Sequence, residues 1–339
     1  MKALFIGGTG VISTAISNLA VAKGWELYLL NRGNRTAPKG AHTIVADISN
    51  AQDVRKKIEA MQFDVVVDFI AYTCEEVQRD IELFEDKTGQ YIFISSASAY
   101  QKPLSSFLIT EGTPLANPYW QYSRDKIDCE DALMAAYRKK GFPVTIVRPS
   151  HTYSNTRIPV AIHGKKGSFA VVDRIRQGKK VIVPGDGLTH WTLTHSNDFA
   201  VAFCGLMGNP HALGESFHIT GDECITWNQV YEAIGRAFGV KPQITHIPAD
   251  MLAKLCPSYF GSLLGDKSNN AVFDNTKIKR AVPEFCATIR FDQGVRDAVQ
   301  YIYQHSECRE LDPEFDAWCD ALTEEYEGMA SKLPRYDMQ

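Results

Sequence analysis

An apolar, strand-forming run that breaks at three closely spaced glycines, Leu4-Phe5-Ile6-Gly7-Gly8-Thr9-Gly10, constrains this chain more than any other stretch. Behind the glycines, residues 13–22 carry apolar side chains at helical spacing, so the segment reads as strand, tight turn and helix. Gly7 can take the backbone angles that such a turn needs. Gly8 and Gly10, having no side chain, let backbone amides and the positive end of the helix come close to phosphate oxygens. A pyrophosphate is the group a turn of this kind holds. The third glycine of the usual pattern is replaced by Ser13, small enough to keep helix against strand. A glycine turn after a strand is also a common structural device, so the motif needs support from the rest of the chain.

That support comes from the alternation that follows. Strand-like runs recur at 26–30, 43–47, 64–70, 91–95 and 144–148, with helical patterns at 51–61, 75–84 and 122–140 between them. Apolar runs separated by crossover helices predict an α/β fold, a Rossmann-type doubly wound parallel sheet with helices on both faces. At 339 residues and 45% hydrophobic content, the chain can bury one large core or two modest ones. The expected division is a nucleotide-binding core over 1–155 and a smaller C-terminal substrate-binding α/β part over 156–310, from which segments near 190–205 return to the core. A C-terminal amphipathic helix and tail then occupy 311–339. Within that tail, 312–328 is acidic and sets Phe315, Trp318, Leu322 and Tyr326 on helical spacing. It is expected to pack on the body of the chain or on a partner subunit, which makes a homodimer one expectation.

Charge and cysteine usage narrow the partners. A net charge of −4 and a pI near 6.2 give no general attraction to nucleic acid or anionic membrane, so neither is expected. The first apolar run stops at the glycines, too short for a signal peptide or a membrane span, and a cytoplasmic protein is the expectation. Eight cysteines are scattered without a Cys-x-x-Cys pair, and no histidine pair has ligand spacing. They are expected to be reduced and mainly core residues, with no metal site.

The end of the second strand bears on the cofactor. Asn31-Arg32-Gly33-Asn34-Arg35 stands where a carboxylate would hold the ribose hydroxyls of NAD, and a guanidinium there suits stacking on adenine or pairing with the 2′-phosphate of NADP. Arg32 and Arg35 also read as solvated loop charges. Asp47 can accept a hydrogen bond from the adenine amino group or cap the helix that follows.

Two further pieces carry chemistry. Tyr122 and Lys126 lie four residues apart at the start of an amphipathic helix and so share a face. A free phenol, with a pKa of about 10, is a poor base at neutral pH, but a nearby ammonium and a positively charged nicotinamide both favour its phenolate. Tyr122 is therefore the candidate base for an alcohol losing a hydride, and Lys126 the candidate holder of the nicotinamide ribose. The run Ile94-Ser95-Ser96-Ala97-Ser98-Ala99-Tyr100 ends a strand in small hydroxyl residues, among which Ser96 is placed to hydrogen-bond the reacting oxygen. Serines after strands also serve as turn formers.

Taken together, the glycine turn, the Ser-Ser-x-x-x-Tyr run, the Tyr-x-x-x-Lys helix and the Arg148-Pro149 strand end resemble the extended short-chain dehydrogenase/reductase family of NAD-dependent epimerases and dehydratases. Gly185-Asp186-Gly187 with Trp191 to Asp198, and Gly214 to Gly221 with the helix after it, resemble later segments of the same family, so the match covers about residues 1–300. The Ile-Gly-Gly-Thr-Gly opening and Asn-Arg-Gly are most similar to the nucleoside-diphosphate-sugar epimerase-like subgroup that also includes chloroplast stem-loop-binding proteins. The resemblance implies that Gly7, Thr9, Gly10, Val11 and Ile12 hold the pyrophosphate, and that Asn31, Arg32, Asp47 and Ile48 hold the adenosine end. Phe69, Ile70 and Ala71 would line the middle of NAD or NADP, and Ser95, Tyr122, Lys126, Pro149 and Ser150 its nicotinamide end. Ser96 and Tyr122 would be catalytic with Lys126 as electrostatic helper, and Ser96, Tyr72 and His151 would meet substrate. His151 stands where many epimerases carry asparagine.

Dehydratases of the family place an acid pair directly after the hydroxyl residue, and Ala97 and Ser98 stand there instead. The resemblance therefore implies epimerisation of a nucleotide sugar, with reduction of a small carbonyl compound and non-catalytic nucleotide or RNA binding as alternatives. Lys165, Lys166, Arg174, Arg176, Lys179 and Lys180 form a cationic stretch from which one or two groups are expected to reach a substrate diphosphate. Stretches 257–262 and 266–270 read as loops around a short helical region and are expected to shape the substrate pocket.

Overall fold

The computed structural model describes residues 1–334, leaving aside the side chains of Ala330 and Ser331. It separates into two compact units. The first comprises Met1–Ser154, Thr192–Cys224 and Ala271–Arg290, and the second Asn155–Trp191, Ile225–Asn270 and Phe291–Gln339. Of the segments that rejoin the first unit, Thr192–Cys224 supplies Ser216–Ile219, the last strand of the main sheet, and Ala271–Arg290 supplies Val272–Phe273, which pairs with Leu108–Ile109 in a separate two-stranded sheet.

The first unit is built on a seven-stranded sheet whose pairings are all parallel. Its strands are β1 (Lys2–Ile6), β2 (Glu26–Asn31), β3 (His42–Val45), β4 (Val65–Asp68), β5 (Tyr91–Ile94), Val144–Pro149 and Ser216–Ile219. From one edge to the other they run β3, β2, β1, β4, β5, Val144–Pro149, Ser216–Ile219. The chain order reverses between β1 and β4, and in such sheets ligands bind beyond the carboxyl ends of the strands at that point.

Side chains alternate across the sheet, which is why the strands are apolar throughout. Ala3 and Phe5 face Ile16 and Ala20 of helix α1 (Val11–Ala22) together with Phe199 and Phe203. Leu4 and Ile6 face the opposite cluster, which takes in Val54 of α2 (Ala51–Lys57), Val77 and Ile81 of α3 (Cys74–Phe84), and Cys129 and Leu133 of α4 (Gln121–Lys140). Burial of each such side chain contributes about 1.5–3 kcal/mol, so both faces hold the strand ends in place.

In the second unit, Lys180–Pro184 pairs in parallel with Gln243–Ile247, and His190–Trp191 pairs with Ile225–Thr226. The acidic C-terminal helix, Pro313–Lys332, lies on the helix Phe169–Arg176 and the strand Lys180–Pro184. The short helical region that 257–262 and 266–270 are expected to loop around is a helical turn at Tyr259–Ser262 followed by a π-helical turn at Leu263–Lys267. The wide turn frees the Lys267 carbonyl, which accepts the indole N–H groups of Trp191 at 3.2 Å and Trp227 at 3.0 Å.

All eight cysteines are free, but the expectation that they are mainly core residues fails. Only Cys129, Cys204 and Cys319 are buried, on the inward faces of helices, while the other five lie at helix starts and in connections. Among the described residues, no helix is long and apolar enough to cross a membrane.

Candidate active site

The glycine turn occupies the point of reversal. Gly7 has φ +81°, a conformation that side chains disfavour, and its amide donates to Leu30 at 3.1 Å. A Cβ there would lie 2.5 Å from the Ile70 side chain, and one on Gly8 2.6 Å from Leu29. A Cβ on Gly10 would meet only Ser13 Oγ, at 3.3 Å, so the helix end is open on that side. Ser13 does more than keep helix and strand close: its Oγ accepts the Gly10 amide at 2.7 Å and donates to the Gly7 carbonyl at 3.1 Å. Ser17 Oγ donates to Gly8 at 2.9 Å. Two hydroxyls thus brace the turn where glycine would supply none.

At the end of β2, Arg32 is exposed, and Arg35 donates to the Thr9 carbonyl at 2.9 Å, tying its loop to the glycine turn. Asn31 Oδ1 accepts the Gly33 amide, while its buried Nδ2 finds no partner among the described residues. Asp47 does not cap the next helix; that is done by Asn50, whose side chain accepts the Asp53 amide. Asp47 instead accepts the Ser49 hydroxyl at 2.7 Å and amide at 3.0 Å, and these bonds hold its carboxyl below the usual range. The Ile48 side chain is buried in the core cluster with Leu30, Ala46 and Val54.

These residues fit a dinucleotide. The turn has no room for side chains and lies open at Gly10, α1 begins without an acidic residue, and the β2 end presents a guanidinium beside an unpaired amide donor.

Beyond β4, Asp68 Oδ1 accepts the amides of Ile70 at 2.5 Å and Ala71 at 2.8 Å. This fixes the Phe69–Ile70–Ala71 turn. Phe69 packs edge-on against Phe5, while Ile70 and Tyr72 are exposed. Burial, and next the neighbouring Asp80, push the Asp68 carboxyl well above the ordinary range. The fixed Ala71 carbonyl in turn accepts Lys126 Nζ at 2.6 Å, and Ile94 at the end of β5 accepts it at 2.8 Å. An ammonium has three donors, so one remains beyond these two. Lys126 is 2% exposed and lies 4.5, 4.7 and 5.9 Å from the ring centres of Tyr72, Phe93 and Tyr122. Burial pushes its pKa down to about 8, against the pull of the nearby Asp68, Glu76 and Glu130.

Tyr122 stands one turn before Lys126, half-buried, its ring 4.8 Å from Trp120 and 6.2 Å from Tyr72. Ser96, after β5, caps a short 3-10 turn at Ala97–Ala99 and is half-buried. Ser95 is 1% exposed, and its hydroxyl donates to the Glu130 carboxylate. Pro149 ends its strand buried, Ser150 Oγ donates to Thr192 at 3.1 Å, and His151 begins a short strand that pairs with Leu193.

Sequence reasoning missed the buried group behind Ser95. Arg148 binds both oxygens of Glu130, through Nη2 at 2.5 Å and Nε at 2.9 and 3.2 Å, and donates to Tyr100 at 3.2 Å. Tyr100 reaches the buried His218, 3.1 Å away, and burial lowers the histidine's pKa. The signal available in the sequence was Glu130 four residues after Lys126, on the inward face of the helix. The cationic stretch finds ion-pair partners within its own unit. Arg174 binds Asp316 at 2.5 Å and Asp320 at 2.6 Å, Lys179 binds Asp316, Lys180 binds Glu327, and Lys165 and Lys166 meet Glu314 and Glu310. Arg176 binds Asp173. Lys165, Arg174, Lys179 and Lys180 thus pair with the acidic C-terminal helix, Lys166 with Glu310 just before it, and Arg176 with Asp173 of its own helix.

The profile of the NAD dependent epimerase/dehydratase family matches residues 3–220. The chain belongs to that family. It is similar to the chloroplast stem-loop binding protein of 41 kDa b of Arabidopsis thaliana, 29% identical over 261 residues that make up 72% of this chain and 65% of that protein. The chain thus spans just under two thirds of that relative's length. It is 25% identical to a UDP-N-acetyl-alpha-D-glucosaminuronate decarboxylase of Bacillus cytotoxicus, over 88% of this chain and 97% of that one. Among solved structures, a UDP-glucose 4-epimerase of Thermotoga maritima superposes with a TM-score of 0.72 at 16% identity, covering 90% of this chain and 99% of that one. A dTDP-glucose 4,6-dehydratase of Bacillus anthracis in complex with NAD also gives 0.72, at 20% identity, covering 91% and 98%.

Proposed function

We propose that the chain is an NAD(P)-dependent epimerase of a nucleoside-diphosphate sugar that keeps its cofactor through the cycle. The observation that carries this reading is the Lys126 ammonium, buried behind Tyr122 and tied to the ends of β4 and β5 on the side where the glycine turn opens. Gly7, Thr9, Gly10, Val11 and Ile12 would hold the pyrophosphate, and Arg32 the adenosine end, with NADP preferred for its 2′-phosphate. Phe69, Ile70 and Ala71 would line the middle, and Lys126, Pro149 and Ser150 the nicotinamide end. When bound, the nicotinamide supplies a carbon that takes and returns hydride.

In this reading Tyr122 removes the proton of a sugar hydroxyl as the sugar carbon bearing it gives up hydride, and Lys126 favours the tyrosine's negative form. Ser96 donates to the reacting oxygen, and Tyr72 and His151 contact the sugar. The ketone turns in the site, the hydride returns to its other face, and Tyr122 gives the proton back. The buried Ala97 and Ser98, where a dehydrating enzyme would carry acids, support a cycle without loss of water. The relatives and structures named for UDP sugars support the substrate class. A homodimer remains part of the proposal.

Mass spectrometry of the purified protein tests it. Tightly held, oxidised cofactor and interconversion of a nucleotide sugar are expected. Cofactor that exchanges freely with net reduction of a carbonyl compound would instead make the chain a reductase. Salt-sensitive retention of RNA without hydride chemistry would make it a binding protein.

A further inference from the structure

Ser96 is the half-exposed residue in the otherwise buried run 91–100. Two more serines stand behind it. Ser123, which follows Tyr122 on α4 and is fully buried, donates its hydroxyl to Ser98 Oγ at 2.7 Å. Ser98, 4% exposed, lies 2.9 Å from Ser96 Oγ, and its amide donates to the same oxygen at 3.2 Å. Asn117 fixes the Ser98 backbone through a 2.8 Å bond to its carbonyl.

Counting donors settles the direction of the hydroxyls. A serine hydroxyl has one proton to give and two lone pairs to receive. Ser98 Oγ already receives from Ser123, and among the described residues its remaining neighbour is Ser96. Were Ser96 the donor, the Ser98 proton would be buried with no acceptor, which folded proteins avoid. The proton of Ser98 therefore goes to Ser96. Ser96 Oγ then receives both the hydroxyl and the amide of Ser98, its lone pairs are used, and its own proton turns to the open side.

We propose that Ser98 and Ser123 are positioning residues, forming a one-way hydroxyl chain from Ser123 through Ser98 that keeps Ser96 a hydrogen-bond donor to the reacting oxygen. An oxygen gaining negative charge needs a donor already aimed at it, and successive hydroxyls polarise one another in the same sense. The same helical turn carries Tyr122 and the head of the chain, so base and donor are set by one element. The inference rests on the reading in which Ser96 meets that oxygen.

Neutron diffraction from crystals of the full chain grown in D2O tests the direction without any substrate. Deuterium on Ser98 Oγ should lie on the line to Ser96 Oγ; deuterium on Ser96 pointing back at Ser98 overturns the proposal. Kinetics on a substrate turned over by the wild type test the consequence. Ser98→Ala should lower kcat about tenfold, less than the roughly hundredfold cost of losing a direct donor, with KM and cofactor affinity unchanged. Ser98→Thr should restore the rate, and Ser98→Ala should add nothing in a Ser96→Ala background. Equal losses in both backgrounds would show a packing role and overturn it. A wild type without hydride chemistry would sink the proposed function, while the neutron result would still decide the hydroxyl direction.

Discussion

Replacing Lys126 by methionine exposes the cost of burying a charge behind the candidate base. The ammonium is held by two carbonyls and three rings, and burial lowers its pKa from 10.5 to about 8. In the unfolded chain it titrates near its ordinary value of about 10.4. Between those two values the unfolded state binds more protons than the folded state, so stability rises with pH. The cost is therefore fully present below pH 8 and is relieved as pH climbs toward the unfolded value. Between pH 7 and 9.5 the lysine should add roughly 2 kcal/mol to the stability of the wild type that the methionine variant does not gain. Methionine also leaves the Ala71 and Ile94 carbonyls without this donor, at about 1–3 kcal/mol each, but that loss does not vary with pH. Cys204 and Cys319, each pushed up to about 12 by burial, cancel in the comparison, and Cys129, pushed up to about 12 even with Lys126 pulling it down, stays protonated in both folded proteins over this range. The assay is urea unfolding of cofactor-free wild type and Lys126→Met at the two pH values. Parallel changes in the two proteins, or a larger gain in the variant, would refute the reasoning.

Arg32→Ala should weaken NADP more than NAD in equilibrium titrations, because only NADP offers the guanidinium a 2′-phosphate; equal effects remove the reason for preferring NADP. Glu130→Ala should destabilise the fold by about 3–5 kcal/mol in urea unfolding, since it leaves the Arg148 guanidinium buried without its carboxylate. A loss below about 1 kcal/mol would mean that water or a rearranged side chain already compensates the arginine.

What the sequence disclosed and what it hid follow from range. Gly7, Gly10, Tyr122 and Lys126 are legible because a turn and one helical repeat place them, and both depend on neighbours in the chain. The continuous apolar runs of the strands likewise announce a sheet covered on both faces. Ser13 looked like a spacer because its value lies in bonds to the turn, which only coordinates reveal. Ser98 and Ser123 are 25 residues apart, and nothing in either local pattern says that they touch. The ion pairs of the cations at 165–180 were hidden for the same reason. Lys165, Arg174, Lys179 and Lys180 meet a helix more than 130 residues later, and only folding brings the two charge patterns together. Cysteine placement was misread because composition says how apolar a residue is, not which face of a helix it occupies.

The central claim is that Tyr122 moves the proton in a hydride-transfer site whose cofactor is held by other residues. It is tested most directly by measuring turnover and cofactor binding side by side in wild type and Tyr122→Phe, using a substrate that the wild type converts. The account predicts that the variant loses turnover while its cofactor dissociation constant stays close to that of the wild type, since only the proton-carrying oxygen is gone. Turnover at the wild-type rate in Tyr122→Phe would contradict it.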